Sequence, residues 1–389
     1  MNAPSTLISP PGQAAASSRP GTLAAAGMAL FMAIGLALNG YAIFSGEPEL
    51  LPPGTTVEEM LDGTASKEIA ANLAKTAIPG EMAKWQRGLN WLLAGDLGPK
   101  VRQGCPNWLF LADELVVHPH RTENAAARLQ TVQDIQKKLN NAGIKLLVAV
   151  VPDKSRIMSA QLCEQQRPTA LSTRAQSWVQ SLQQAGVAAI DLTPTLQQPD
   201  QDTYLRTDTH WNEHGAQLAA QAIAAEALKL PSDRFTPHQT STIEPQEPKM
   251  RPGDLVRLAG IEWLPLALQP KPEVVSQSKF RILASDPPSN AGPQEVEESD
   301  DDLFGDAELP TVALIGTSFS GTSGFTDFLS HALETPVASF AKDGGEFSGS
   351  AKEYFDSQAF KQTPPKIIIW EIPERDLDAP LHKDKEIWR

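Results

Sequence analysis

At 389 residues the chain is long enough for one large α/β domain with additions or two modest domains, and its 41% apolar content is ordinary for a globular protein. A formal net charge of −14 argues against nucleic acid or an anionic membrane surface as the partner. A polyanionic substrate stays open, because a local cleft can differ in sign from the whole molecule.

Residues 1–21 are rich in Ser, Pro, Ala and Gly, with Arg19 the only charged side chain, and read as a disordered cytoplasmic tail. From Thr22 to Phe44 there is no charged residue, and Asn39 is the only strongly polar one. At about 1.5 Å per residue this stretch is long enough to cross a bilayer core of roughly 30 Å. Arg19 precedes it, and Glu47 and Glu49 follow, which favours a cytoplasmic tail and an exported main domain. The expectation is one N-terminal transmembrane helix over 22–44, kept as a signal-anchor in the bacterial inner membrane. Small residues near its end offer cleavage as the alternative.

Residues 45–80 read as a stalk broken by Pro52-Pro53-Gly54 and helical from Thr56 to Ala77. Trp85 and Trp91, with Leu89, Leu92 and Leu93, read as core packing, and Gly104 to Leu111 as a turn and a short strand. Cys105 and Cys163 form no CxxC pair and no zinc-type cluster. In an extracytoplasmic domain they can make one disulfide; otherwise they are two buried thiols.

An α/β pattern begins near Thr122. Leu129, Val132, Ile135 and Leu139 recur at helical spacing, and the near-continuous apolar run Lys145–Val151 suits a parallel strand covered on both faces. Leu171, Ala175, Trp178 and Leu182 mark a second helix, and Val187–Leu192 a second strand. Asn212 is a good N-cap for a helix to about Leu230 that turns Ala216, Ala219, Ile223 and Ala227 inward. Residues 232–265 and the acidic 285–308 read as irregular insertions. Thr311–Ile315 is a strand, followed by Gly316-Thr-Ser318 and then a helix through about Leu333, and Lys366–Trp370 is a last strand. The alternation predicts an open, doubly wound parallel sheet.

Serine needs a base to take its proton and a third group to orient that base. Ser318 lies where a strand passes into a helix, at the carboxyl edge where ligands collect. In extended backbone Asp208 and His210 point to one side, so the carboxylate can hold one ring nitrogen and leave the other for Ser318. The competing reading is a capping aspartate and a packed histidine. A second alternative takes His210, Glu213 and His214 as a His-x-x-Glu-His zinc site, with Glu226 the one carboxylate left for the remaining ligand. Asn212 as helix start puts His210 outside the helix and disfavours it, so no metal is expected. His118-Pro119-His120 reads as a loop.

Asn107-Trp-Leu-Phe110, Val150-Val-Pro-Asp-Lys154, Leu205-Arg-Thr-Asp-Thr-His-Trp211, Gly316-Thr-Ser-Phe-Ser320 and Ile369-Trp-Glu-Ile-Pro-Glu-Arg375 carry a resemblance. The chain resembles the polysaccharide O-acetyltransferases of bacterial exopolysaccharide systems, the alginate O-acetyltransferase family with an SGNH-hydrolase-like catalytic domain, over roughly 80–380. The resemblance implies an SGNH-like domain over 81–380 and a triad of Asp208, His210 and Ser318, in the reverse of the chain order of ordinary SGNH hydrolases. The usual Gly and Asn oxyanion donors have no assigned counterparts, and the C-terminal carbohydrate-binding module of some members is not expected here.

It further implies acetyl transfer through a serine acyl-enzyme onto a secreted polysaccharide, in the periplasm, without a cofactor. A membrane-embedded acyltransferase partner would supply the acetyl group. Lys154, Arg206, Glu371 and Arg375 are assigned to acceptor binding or site support, with surface or structural ion pairs as the other reading. The rival functions are a carbohydrate esterase or deacetylase with the same triad, and a non-catalytic polysaccharide-binding scaffold.

Overall fold

The computed structural model of the chain describes residues 19–45, 54–73, 77–230, 240–282 and 310–388. Most of the expected tail, parts of the stalk and the acidic insertion 285–308 lie outside the described residues. The chain divides into two units, Met1–Leu89 and Asn90–Arg389.

In the first unit Arg19–Phe44 is one helix of 26 residues, with Met28, Leu30, Phe31, Met32, Ile34 and Leu36 exposed. Among the described residues no helix is long and apolar enough to cross a membrane; the side chains of residues 19–23, 39, 42 and 43 lie outside them. Short helices follow at Val57–Leu61 and Thr64–Leu73, and a longer one at Ala77–Ala94, whose residues from Asn90 on belong to the second unit. The core role expected there needs correction. Trp85, Leu89, Leu92 and Leu93 are exposed. Only Trp91 turns inward, toward Leu97, Val101 and Leu255, with its indole N–H donating to the Leu268 carbonyl at 2.7 Å.

The second unit is built on five parallel strands: β1 (Lys145–Val151), β2 (Ala188–Asp191), β3 (Val312–Gly316), β4 (Val337–Ala341) and β5 (Ile367–Pro373), in the order β4-β3-β5-β1-β2. Side chains alternate across the sheet with a period of two. Leu147, Ala149, Leu314 and Ile369 face the helices Glu213–Ala227 and Phe325–Leu333. Val148, Val150, Ile315 and Trp370 face the helices Arg121–Asn141 and Arg174–Gln184. With both faces covered, the strands read as unbroken apolar runs rather than alternating ones. The Asn212 carboxamide accepts from Gly215 N at 2.9 Å, as its capping role requires, and Ala216, Ala219 and Ala220 let their helix lie close on the sheet.

Two expected elements differ. The helix after β3 is broken into Ser318–Gly321 and Phe325–Leu333, with Ser323 and Gly324 between them at positive φ. The Ser323 hydroxyl donates to the Trp211 carbonyl at 2.8 Å, and that of Thr322 to the Ser318 carbonyl at 2.9 Å. Such local side-chain bonds compete with the helical ladder. The insertion 232–265 is not irregular over its described part. Ser241–Pro245 pairs antiparallel with Ser278–Ile282, Lys249–Arg251 pairs with Glu273–Val275, and Asp254–Leu258 is a short helix. These ribbons have only two strands, so they carry no strong apolar period.

Beneath the carboxyl edge, Asp153 and Glu374 meet Arg156, Arg167 and Arg174 in a buried ion network. Glu374 also accepts from the Asp153 backbone at 3.0 Å, tying the segment after β5 to the segment after β1. Cys105 and Cys163 are joined by a disulfide, with Cα atoms 5.1 Å apart.

Candidate active site

Between β2 and the Asn212-capped helix the chain makes a narrow loop. Tyr204 and Trp211 pair antiparallel across its base, and Leu205 N donates to the His210 carbonyl at 3.1 Å. The backbone between them bends rather than running extended, because the Asp208 carboxylate accepts from His210 N at 3.1 Å in an Asx turn. The bend still brings the two side chains together. His210 Nδ1 lies 2.7 Å from Asp208 Oδ1, and Nε2 lies 2.7 Å from Ser318 Oγ, across 108 residues of sequence. With the proton on Nδ1 the ring donates to Asp208 and accepts from the serine hydroxyl. The edge of Phe319 packs against the histidine ring, with centroids 4.8 Å apart, and limits its rotation.

Ser318 is the first residue of its one-turn helix, half-buried, one residue beyond the Thr317 cap. Glu371 at the end of β5 holds that cap. Its carboxylate accepts from Thr317 N at 2.6 Å, from the Thr317 hydroxyl at 3.0 Å and from the Ser320 hydroxyl at 3.0 Å. Gly316 is required by close approach: a Cβ there would lie 2.8 Å from Glu371 Oε2 and 2.0 Å from Ser320 Oγ.

Lys154 is fully buried. Its ammonium donates to the carbonyls of Leu109, Arg206 and Asp208 at 2.6, 2.8 and 2.9 Å, so every donor is used. Lys154 and Glu371 are thus both buried with partners inside the protein, and no Lys154 donor is left for another group. Burial lowers the Lys154 pKa to about 8, against the pull of Glu114 and Asp208. Burial raises that of Glu371, only partly countered by its Thr317 and Ser320 hydrogen bonds. Burial acts on Asp208 in the same upward sense, but hydrogen bonds from His210 and the charges of His210 and Arg251 outweigh it and hold the carboxyl well below its usual range.

Arg206 points to solvent beside Glu273, 3.7 Å away. Arg375 lies over the Phe319 ring, 5.6 Å from its centroid, and makes no ion pair within 4.0 Å among the described residues. Ser318 and Arg375 line one cavity of about 350 Å³ with Asp113, His118 and Asp376. Burial raises the Asp376 carboxyl to about 6.

The His-x-x-Glu-His alternative does not assemble. His210 precedes the helix with both ring nitrogens engaged, while Glu213 turns away to accept from Ser278 N at 2.5 Å. Sequence reasoning missed three residues. His118, read as a loop, lines the cavity. Arg251 Nη2 lies 3.1 Å from Asp208 Oδ2, and Asp254 Oδ2 lies 3.7 Å from His210 Nδ1. The one available signal was Arg251-Pro-Gly-Asp254, a turn bounded by opposite charges inside a segment taken as irregular.

A hydrogen-bonded Asp–His–Ser chain opening on a cavity can withdraw the serine proton as the oxygen attacks a carbonyl. Residues 101–374 match the family described as SGNH hydrolase-like domain, acetyltransferase AlgX. The chain is 31% identical over 370 residues to the probable alginate O-acetylase AlgJ of Pseudomonas syringae pv. tomato, covering 92% of this chain and 88% of that protein. It is 30% identical over 293 residues to the protein of the same name from Pseudomonas aeruginosa, covering 74% and 73%. The solved O-acetyltransferase domain of Pseudomonas putida AlgJ superposes with a TM-score of 0.59 at 28% identity, over 72% of this chain and 93% of that one.

Proposed function

The chain belongs to the SGNH hydrolase-like acetyltransferase family of AlgX, and from that membership we infer that it is a polysaccharide O-acetyltransferase working through an acyl-enzyme on Ser318. The observation that carries the mechanism is the unbroken chain of two 2.7 Å contacts from Ser318 through His210 to Asp208. The Ser318 oxygen attacks the acetyl carbonyl carbon while His210 Nε2 takes its proton. The tetrahedral intermediate collapses, and the leaving oxygen departs with that proton. A sugar hydroxyl then attacks the acetyl-serine, gives its proton to Nε2, and the collapse returns a proton to Ser318 Oγ. Asp208 holds the ring in the required tautomer and stabilises its positive charge. Arg375, lining the same cavity, favours the developing oxyanion by its charge.

Because the named relatives are alginate O-acetylases, alginate is the first acceptor to test. We place the catalytic domain in the bacterial periplasm, anchored by Thr22–Phe44 and fed by a membrane-embedded acyltransferase. Support comes from the absence of charge across 22–44 and from the Cys105–Cys163 disulfide, a bond that persists in oxidising compartments. The test is intact-mass spectrometry of the full-length chain after exposure to an acetyl ester. One acetyl group is expected on the wild type and none on Ser318→Ala. Release of acetate with no acetylation of added oligosaccharide would make the protein an esterase instead.

A further inference from the structure

The Asp208 carboxylate is held from two sides. Its Oδ1 accepts from His210 N and lies against His210 Nδ1, both within the loop. Its Oδ2 is held from outside, by Arg251 Nη2 at 3.1 Å and Asp254 N at 3.2 Å. The same segment grips the loop again one residue on, where Asp254 Oδ1 accepts from Thr209 N at 2.7 Å. One residue back, Glu273, paired with Arg251 across the ribbon, accepts from Thr207 N at 2.5 Å and from its hydroxyl at 2.8 Å. The seating is close enough to demand glycine at 253, where a Cβ would fall 1.9 Å from the Thr207 carbonyl oxygen.

We propose that Arg251 and Asp254 are positioning residues for the general base, acting on His210 through Asp208 and in opposite electrostatic directions. This rests on the acyl-transfer reading above. Arg251 fixes the outer oxygen of Asp208, so the inner oxygen stays aimed at Nδ1. Its positive charge opposes a second positive charge on the imidazole. Asp254 sets a second carboxylate 3.7 Å from Nδ1 and favours that charge. The remaining charged groups around the ring are Asp208 itself, Lys154 beneath the loop, Glu273 and Arg206 beside Thr207, and Arg375 over the Phe319 ring. Burial, followed by the Asp208 charge, raises the Asp254 pKa. Arg251 and Asp254 thus balance each other beside one histidine.

The test is the pH dependence of kcat/KM for 4-nitrophenyl acetate with the full-length chain in detergent. Arg251→Gln should move the acid limb to higher pH by about half to one unit, and Asp254→Asn should move it down by a similar amount. The double variant should return near the wild-type limb, and Arg251→Lys should stay there. The Arg251 side chain is 37% exposed, so Arg251→Gln should lose some stability with its contact to Asp208 and still be folded at 25 °C, which a melting curve checks. A lower kcat without movement of the limb, or movement of both single variants in the same direction, overturns the proposal. Failure of wild-type Ser318 to acetylate at all counts instead against the acyl-transfer reading.

Discussion

The carboxylate of Glu371 lies 2.6 Å from the backbone nitrogen of Thr317, so the end of β5 fixes the residue immediately before Ser318. Three donors converge on that one side chain, and a glutamine there turns an NH2 toward at least one of them. Glu371→Gln is therefore expected to keep the fold and lower kcat for acetyl-ester turnover about 10- to 100-fold, with little change in KM. Steady-state kinetics beside a melting curve check this. An equal rise in KM would show that Glu371 meets the substrate.

Lys154→Met leaves the carbonyls of Leu109, Arg206 and Asp208 without their shared donor. Breaking a buried charged group out of its hydrogen bonds costs about 3–5 kcal/mol, and the loss falls on the loop that carries His210. Urea unfolding should show a destabilisation of that order, and the surviving folded fraction should turn over slowly. A variant of wild-type stability would mean that the three carbonyls are satisfied otherwise.

Glu114 supplies a pH dependence of stability. It is fully buried, and burial, followed by repulsion from Asp153, raises its carboxyl from 4.5 to about 7. Between those two values the folded state keeps a proton that the unfolded state has released, so stability falls as pH rises. The effect is complete above about pH 7 and amounts to up to about 3 kcal/mol. Glu114→Gln cannot titrate. Its unfolding free energy should fall less than that of the wild type between pH 5 and pH 7.5. Parallel curves for the two proteins would refute the assignment.

The Cys105–Cys163 bond spans a sequence separation of 58 and closes the turn before Leu109 onto the segment after Lys154. Chain-entropy arguments put the stabilisation from such a loop at about 4 kcal/mol. Cys105→Ala/Cys163→Ala should melt at a clearly lower temperature yet turn over acetyl esters normally at 25 °C. The bond bears on the seat of Lys154 and does not touch Ser318. Loss of activity in fully folded protein would show a direct role in the site.

What was legible in the sequence follows from how each part is stabilised. β1 and β3 lie between two layers of helices, so their apolar runs announce them. The Asn212 cap is a local contact, readable over four residues. The closeness of Asp208, His210 and Ser318 was inferred from residue type and from the edge on which Ser318 falls. The rest depends on contacts that carry no local signature. Lys154 follows a strand and reads as a residue for acceptor binding or site support, yet nothing local shows that three carbonyls from two distant segments hold it inside. The break after Gly321 depends on a hydroxyl reaching Trp211, about a hundred residues earlier. Arg251 ends a strand of a two-stranded ribbon and Asp254 begins a helix of five residues, elements too short for an apolar period, so composition alone suggested disorder of form where there is a grip on Asp208.

The order of strands has a consequence for when the turn carrying Ser318 is held during synthesis. β5 lies between β3, which delivers Ser318, and β1, which leads to the lysine under the histidine loop. β5 is also the last of these five strands in chain order. Until residues 367–373 are made, no strand joins the two halves of the sheet, and the Thr317 cap lacks Glu371. A nascent chain that already bears Asp208, His210 and Ser318 thus still lacks the strand and the carboxylate that hold the turn carrying Ser318.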